Sequence, residues 1–181
     1  MPTRSRPVAV ATSVVATLLV LAVIAYLAVI TGAIPANADA PPGRLETWAA
    51  KRSLRATLAR ETSGLRDPVP ANDSTLTRGV HLYGTYCAIC HGASDAKPSA
   101  VARGLYQHAP QFAKDDVTDD PVAVTYWKIT HGIRLTGMPA FDSTLTADER
   151  WTIANFLAHQ NDLPPTAKAA WLALPSAVQK P

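Results

Sequence analysis

The sequence is short of sulfur and of charge. Its 181 residues include only two cysteines and two methionines, and 17% of the residues are charged. Two cysteines exclude a disulfide framework, and they also exclude a zinc site made of four thiolates. A hydrophobic share of 48% excludes a disordered chain, even though 15 residues are prolines. The length predicts one domain with at most an appendage.

Basic residues are scarce in the half of the chain that looks folded. Residues 73–162 carry seven Lys/Arg against ten Asp/Glu, a net charge of −3. The flanks carry ten against four, a net charge of +6, which restores the chain total of +3. Because the 73–162 segment has no basic stripe, the composition argues against a nucleic acid as partner.

One long stretch of the chain has no charge at all. Residues 7–38 contain no Asp, Glu, Lys or Arg and are apolar for most of their length. A bilayer core needs about 20 helical residues, so this stretch predicts a transmembrane anchor over residues 1–32. Arg4 and Arg6 precede the apolar run, and the next basic residue is Arg44. This asymmetry predicts an anchor in the bacterial inner membrane, with the rest of the chain on the periplasmic side.

A cleavable signal is the alternative interpretation of the same stretch. A charged start, an apolar run and the triplet A-D-A at residues 38–40 together resemble a signal sequence with its cleavage site. The apolar run is longer than the roughly 7–15 residues usual in a signal, and the triplet lies far from its end. Both interpretations export the rest of the chain. If residues 1–40 are removed, that remainder is a soluble periplasmic protein.

Residues 33–72 are predicted to be a linker that contains a basic helix. Three prolines between residues 34 and 43 predict an extended start. Apolar residues at helical spacing then predict a helix over residues 45–63 that ends at Gly64. Residues 44–66 hold six basic and two acidic residues. Two interpretations remain open: an exposed spacer near anionic lipid head groups, or a docking helix for another subunit.

The run C-A-I-C-H at residues 87–91 is the C-x-x-C-H signature of c-type haem attachment. Residues three apart share one face of a helix, so the thiols of Cys87 and Cys90 can reach two vinyl groups on one porphyrin edge. The adjacent His91 then lies beneath the ring, where an imidazole nitrogen can bind the iron. A redox-active dithiol and a structural disulfide are the alternatives, although the sequence lacks the βαβ pattern of a thioredoxin-like site.

A sixth ligand for the iron must come from another part of the chain. Apart from Met1, the one methionine is Met138, in the segment T-G-M-P-A-F. Pro139 restricts this methionine to an extended backbone, and Gly137 permits a close approach or a positive φ. A stiff loop can therefore present the thioether to the second face of the ring. Ordinary core packing is the alternative role for Met138. The rival ligands are histidines: His131 is the strongest, and the others are His81, His108 and His159.

The combination of motifs resembles the class I cytochrome c family. It comprises R-G-x-x-L-Y-x-x-x-C-x-x-C-H-G at residues 78–92, G-M-P-A-F at 137–141 and a closing helix with aromatic residues, and it covers about residues 73–162. The resemblance implies a small all-α fold around a haem, His/Met axial ligation, and electron transfer without substrate chemistry. The expected fold is all-α: a class I cytochrome c haem domain at 73–163, preceded by the transmembrane helix and the basic linker helix, and followed by a Pro/Ala-rich tail at 164–181.

Three helices of the expected haem domain can be read from the sequence. They are predicted at residues 77–89, 121–131 and 147–159. Thr146 and Glu149 form a capping box for the last of them. In the family, the first and last helices cross where a glycine meets an aromatic ring, and the matching residues here are Gly79 and Phe156.

Aromatic residues outside these helices also have expected roles. Tyr106 and Phe112, with His108 between them, lie in the stretch before the middle helix and are expected to line or close one haem edge. Trp171, in the tail, is expected to pack either against a partner or back onto the domain.

The expected function is that of a membrane-anchored mono-haem c-type cytochrome that transfers single electrons, as a subunit of a respiratory membrane complex or as a donor to one. One covalently attached haem c is expected, held by Cys87, Cys90, His91 and Met138, the last two as iron ligands. The expected partners are redox proteins or complex subunits and the membrane, with no nucleic acid and no small-molecule substrate. No catalytic residue is expected, so the chain is predicted not to be an enzyme. The alternative is a haem-based sensor or ligand-binding module.

Overall fold

The computed structural model describes residues 6–115 and 117–177. Over these residues the chain is all-helical, without a strand. Met1 and Arg4 of the predicted anchor, and residues 178–181 of the predicted tail, lie outside the described residues. The chain divides into two compact units, Met1–Ala40 and Pro41–Pro181.

The first unit is a single apolar helix, α1 (Arg6–Ile30). At 1.5 Å per residue its 25 residues extend for about 37 Å, which is enough to cross a bilayer core with some tilt. The hydroxyls of Thr12 and Thr17 donate to carbonyls four residues earlier, at 2.7 and 2.9 Å, so these polar groups are satisfied within the helix. Among the described residues, α1 is the one helix long and apolar enough to span a membrane. It is consistent with an anchor, and its position near the amino terminus also fits a signal sequence.

The second unit begins with the linker helix, α2 (Arg44–Glu61), where the sequence predicted residues 45–63. Its last turn closes when the N–H of Thr62 donates to the carbonyl of Leu58 at 3.0 Å. Thr62 keeps a right-handed backbone, and the helix stops three residues before Gly64. The prediction that Gly64 ends this helix is therefore wrong, because Thr62 already caps it.

The first helix of the expected haem domain starts earlier and ends earlier than predicted. It is α3 (Asp73–Tyr86), and Asn72 caps it by accepting a hydrogen bond from the N–H of Thr75 at 3.0 Å. This cap accounts for the earlier start. The helix breaks at Cys87, whose φ of −116° departs from helical values, and a separate turn, α4 (Ala88–His91), follows. The single helix predicted over 77–89 is therefore two elements.

The remaining elements are α5 (Ala100–Arg103), α6 (Val122–His131), α7 (Ala147–Ala158), a short 3₁₀ turn (Gln160–Asp162) and α8 (Pro165–Ala173). The capping box predicted for α7 is confirmed. Thr146 Oγ1 accepts from the N–H of Glu149 at 3.3 Å, and a carboxylate oxygen of Glu149 accepts from the N–H of Thr146 at 2.9 Å. Both the middle and the last predicted helices therefore form, each within one residue of the expected bounds.

The core forms where α3 packs against α7 and α8, and α6 packs against α7 as well. A Cβ placed on Gly79 would lie 2.7 Å from the Cβ of Phe156, so α3 and α7 touch at this glycine. The contact predicted between Gly79 and Phe156 is confirmed. Beside it, the rings of Tyr83 and Phe156 meet edge to face at 5.4 Å between centroids.

The end of the chain contributes to this core. Trp171, on α8, is 7% exposed, and its ring lies 5.6 Å from Tyr83 and 5.4 Å from Phe156, centroid to centroid. Of the two roles expected for Trp171, packing back onto the domain is the one observed. The helix at Pro165–Ala173, which the sequence analysis did not predict, completes the hydrophobic core.

Candidate haem site

One cavity of about 320 Å³ brings together the four predicted site residues, Cys87, Cys90, His91 and Met138. Its volume lies at the lower end of the roughly 300–1,000 Å³ typical of cofactor sites. The other lining residues are mostly apolar and include Leu105, Phe112, Val117, Ile129, Ile133, Phe141, Ile153 and Leu157. The site is a hydrophobic pocket with two thiols, one imidazole and one thioether in its wall.

A single turn of backbone presents both cysteines to this cavity. The N–H groups of Cys90 and His91 donate to the carbonyl of Cys87 at 3.0 and 2.9 Å. The N–H of Cys87 donates in turn to the carbonyl of Tyr83 at 2.8 Å, which joins the turn to α3. Residues 87 and 90 are thereby held three apart on one face, the spacing expected from the motif.

The imidazole of His91 is fixed in one tautomer. Its Nδ1 lies 2.9 Å from the carbonyl oxygen of Pro110, and because a carbonyl only accepts, Nδ1 donates and Nε2 keeps a free lone pair. The ring stacks on Phe112 with 4.2 Å between centroids and an interplanar angle of 11°. Burial lowers the pKa of His91, which favours the neutral ring. A neutral imidazole oriented by a hydrogen bond on its other nitrogen is the usual form of a metal-binding histidine.

The segment after His91 is held by contacts that the sequence analysis missed. Gly92 has a φ of +77°, and a Cβ there would lie 2.6 Å from Oε1 of Gln111. The Gln111 amide donates to the carbonyls of Cys90 and Ala109, both at 3.0 Å. The buried hydroxyl of Tyr83 donates to the carbonyl of Gly92 at 2.7 Å. Gly92 is part of the family motif, but nothing in the sequence pointed to Gln111, nineteen residues further along the chain.

The methionine loop is a compact turn closed by its own hydrogen bonds. The carbonyl of Met138 accepts from the N–H of Ile133 at 3.2 Å, and the N–H of Met138 donates to Thr136 Oγ1 at 3.1 Å. Gly132 has a φ of +65°, and a Cβ there would lie 2.6 Å from the Met138 carbonyl oxygen. Of the two properties predicted for Gly137, the close approach is observed, with the Leu105 side chain as its neighbour, and the positive φ is not. The loop therefore holds the methionine backbone in one position.

The rival histidines are placed less favourably. His131 is exposed, contacts the Trp127 ring at 4.8 Å between centroids, and does not line the cavity. His81 is exposed, and the Nδ1 of His159 lies 2.9 Å from the Asn155 carbonyl; neither lines the cavity. His108 does line it, but this residue is exposed and lies two positions before Pro110, whose carbonyl binds His91. Of the residues predicted as candidates for the sixth ligand, Met138 and His108 line the cavity, and His81, His131 and His159 do not.

The aromatic residues expected at the cavity edge divide into two groups. Phe112 and His108 line the cavity. Tyr106 does not, and its hydroxyl donates instead to the carboxylate of Glu46 on α2 at 2.5 Å. The apolar wall contributed by Ile153 and Leu157 had not been predicted, although their spacing of four on α7 was a usable signal for a shared buried face.

The two cysteines lack the properties of a redox-active pair. Both are free thiols. Burial raises the pKa of Cys87 to about 12, and it also raises the pKa of Cys90. A reactive dithiol instead depends on a lowered thiol pKa and an electropositive setting. The residues present fit a c-type haem better: two neutral thiols on one turn, an oriented neutral imidazole, a thioether and an apolar wall.

The fold and the cavity define the class of protein that this domain represents. An all-helical domain whose C-x-x-C-H turn and methionine loop meet at one apolar cavity has the architecture of a c-type cytochrome. Residues 74–157, slightly less than half of the chain, match the family model described as "Cytochrome C oxidase, cbb3-type, subunit III". This part of the chain is a class I c-type cytochrome domain. Comparisons with curated proteins and with solved structures found no match.

Proposed function

We propose that the chain is a membrane-anchored mono-haem c-type cytochrome that passes single electrons between proteins. Cys87 and Cys90 would hold the haem through thioether bonds, and His91 Nε2 and the Met138 sulfur would be its axial ligands. When bound, haem c supplies an iron that alternates between the ferric and ferrous states. The observation that carries the proposal is the meeting of these four residues at one apolar cavity, with His91 fixed through Pro110.

The surrounding residues support a carrier rather than an enzyme. The wall of the cavity is mostly apolar, burial favours the neutral form of His91, and the Pro110 carbonyl orients its ring. If His91 and Met138 both bind the iron, no position would remain free for a substrate. A thioether ligand and an apolar pocket both favour the ferrous state, because neither stabilises the additional charge of the ferric ion.

We further propose that α1 anchors this domain in the bacterial inner membrane, with the haem on the periplasmic side. The 25-residue apolar helix supports an anchor, and Arg6 at its start supports the orientation. The matched family is described as a subunit of a cytochrome c oxidase, which supports a role as a subunit of a respiratory membrane complex or as a donor to one.

Covalent haem attachment tests this function. The variants Cys87→Ser, Cys90→Ser and the double variant are expressed with a c-type maturation system, and haem that survives denaturing electrophoresis is measured. We expect weakened attachment in each single variant and none in the double variant. Ile89→Ser is the matched control, because it places a serine inside the same motif at an exposed position and should keep full attachment. Persistent covalent haem in the double variant would refute the proposed attachment.

A further inference from the structure

Only one side of the linker helix α2 contacts the haem domain. Both of its acidic residues are used there: a carboxylate oxygen of Glu46 accepts from the Tyr106 hydroxyl at 2.5 Å, and one of Glu61 accepts from the Trp127 indole N–H at 2.9 Å. The half-buried residues of α2 face the same side, and they are Thr47, Leu54, Thr57 and Leu58. The remaining sides of the helix are exposed to solvent.

One exposed side carries uncompensated positive charge. Lys51, Arg52 and Arg55 are exposed and form no ion pair with the described residues. Successive helical residues are rotated by about 100°, so these three cations share a sector of about 120° with Leu45 and Trp48. Leu45 is 76% exposed and Trp48 is 65% exposed. These five residues form what we call the basic face of α2.

The chemistry of the basic face matches a bilayer interface. Tryptophan has an amphipathic ring that settles at the level of lipid head groups, a leucine beside it adds apolar area, and neighbouring cations are attracted to anionic lipid. A second observation supports lipid rather than another protein: residues 31–43, thirteen in all, separate α2 from the apolar helix α1. Even fully extended, this tether reaches only about 45 Å, so α2 stays near any membrane that α1 crosses.

We propose that the basic face of α2 docks on the anionic phospholipid head groups of the membrane that α1 crosses. This inference rests on the proposed function only in taking α1 as the anchor. Docking holds the haem domain near the bilayer, because α2 also contacts that domain through Tyr106 and Trp127. The linker helix then acts as an interfacial helix that limits how far the haem travels from the membrane surface.

Photochemical crosslinking from position 48 tests the proposal. The full chain, with Trp48 replaced by p-benzoylphenylalanine, is reconstituted into vesicles of phosphatidylcholine alone or mixed with phosphatidylglycerol, and into native membranes. Adducts are identified by mass spectrometry. We expect phospholipid adducts in the mixed vesicles and in native membranes, a much lower yield in pure phosphatidylcholine, and a yield that falls as salt rises.

Charge variants complete the test. Each cation near an anionic surface contributes about a 5-fold gain in binding, so a Lys51→Gln, Arg52→Gln, Arg55→Gln variant should lower the ratio of docked to undocked helix on the order of 100-fold. The matched control, Lys97→Gln, Lys114→Gln, Lys168→Gln, removes three exposed cations from other elements and should keep the lipid adducts. As a second control, the same photoprobe in place of the exposed Leu172 on α8 should give no salt-dependent lipid adduct.

Two results would overturn the inference. One is a yield of phospholipid adducts that is equal in neutral and anionic vesicles and is unchanged in the triple charge variant. The other is a protein subunit as the adduct in native membranes, which would make α2 a docking helix for a partner chain. The haem spectrum, recorded on each sample, reports the proposed electron-carrier site separately, so that its failure is not confused with failure of the membrane contact. Salt titration of the chain with its native charges keeps the test valid if the charge variant folds poorly.

Discussion

Gly79 of α3 and Phe156 of α7 touch so closely that no methyl group fits between them. A Cβ on residue 79 would lie 2.7 Å from the Cβ of Phe156 and 2.6 Å from the carbonyl oxygen of Thr152. This Cβ would meet the backbone of Thr152 and the fully buried side chain of Phe156, and neither group can move away unless a helix moves. The glycine therefore sets the distance between α3 and α7.

The first prediction follows from this contact. Gly79→Ala should lower the free energy of unfolding by about 1–3 kcal/mol through overpacking, and by more if the helices cannot separate. Urea unfolding of the haem-loaded protein, followed by the haem absorbance, measures the change. Gly104→Ala is the control, because a Cβ there would have its nearest neighbours at 3.6 and 3.7 Å, an ordinary contact distance. Equal stability of the two variants would contradict the tight crossing.

The second prediction concerns the chain beyond the expected domain boundary at residue 163. Trp171→Ala should cost about 3–5 kcal/mol of unfolding free energy, because the indole fills the core beside Tyr83 and Phe156. Leu172→Ala, on the same helix but 63% exposed, should change the stability by no more than about 0.5 kcal/mol. A chain shortened to end at Leu163 should be destabilised at least as much as Trp171→Ala. Full stability of that shortened chain would show that α8 is dispensable.

The third prediction is a pH dependence from the α7 cap. Hydrogen bonds from the backbone and hydroxyl of Thr146 lower the pKa of Glu149 below its ordinary value of 4.5. A lowered carboxyl pKa contributes stability that is fully present above the unfolded-state pKa and is lost as the pH falls through the folded-state pKa. Glu149→Gln keeps the capping box but removes the charge at the helix amino terminus.

Urea midpoints measured across acid pH check this dependence. Glu149→Gln should be less stable than the parent chain near neutral pH, and the two curves should converge as the pH falls below the ordinary glutamate range. Asp142→Asn, at an exposed carboxylate outside the cap, serves as the control and should follow the parent chain. A constant gap between Glu149→Gln and the parent at all pH values would assign the effect to packing rather than to charge.

The fourth prediction is the sign of the reduction potential. A thioether is a neutral soft ligand that favours ferrous iron, and the apolar wall of the cavity acts in the same direction. Potentiometric titration should therefore give a positive midpoint, suited to delivering electrons toward a terminal acceptor. Met138→His should lower the midpoint, because an imidazole supports the ferric state better than a thioether does. A clearly negative midpoint in the parent chain would contradict the assigned ligand set.

Features encoded by local spacing could be predicted from the sequence. The prediction of haem attachment at residues 87–91 rests on five consecutive residues. The capping box of Thr146 and Glu149 depends on a separation of three, which the structure reproduces. The contact of Gly79 with Phe156 came from the family resemblance, because two residues so far apart leave no periodic signal.

Features that depend on distant contacts were missed. Two hydrogen bonds accompany the break of α3 at Cys87. The Tyr83 hydroxyl donates to the carbonyl of Gly92, and the Gln111 amide donates to the carbonyl of Cys90. Neither bond has a signature in the surrounding residues. The helix α8 was also missed, so the sequence left two roles open for Trp171, and the packing of α8 on α3 explains which of them is observed.

The most direct test of the account is whether the Met138 sulfur binds the iron. In the oxidised state, the parent chain should show the absorption band of sulfur–iron ligation. The variant His131→Ala should keep this band, because the removed histidine is exposed and does not line the cavity. Met138→Ala should lose the band and, once reduced, should bind carbon monoxide, which the parent chain should not. A band that survives in Met138→Ala, or carbon monoxide binding by the parent chain, would contradict His/Met ligation and favour a ligand-binding haem module.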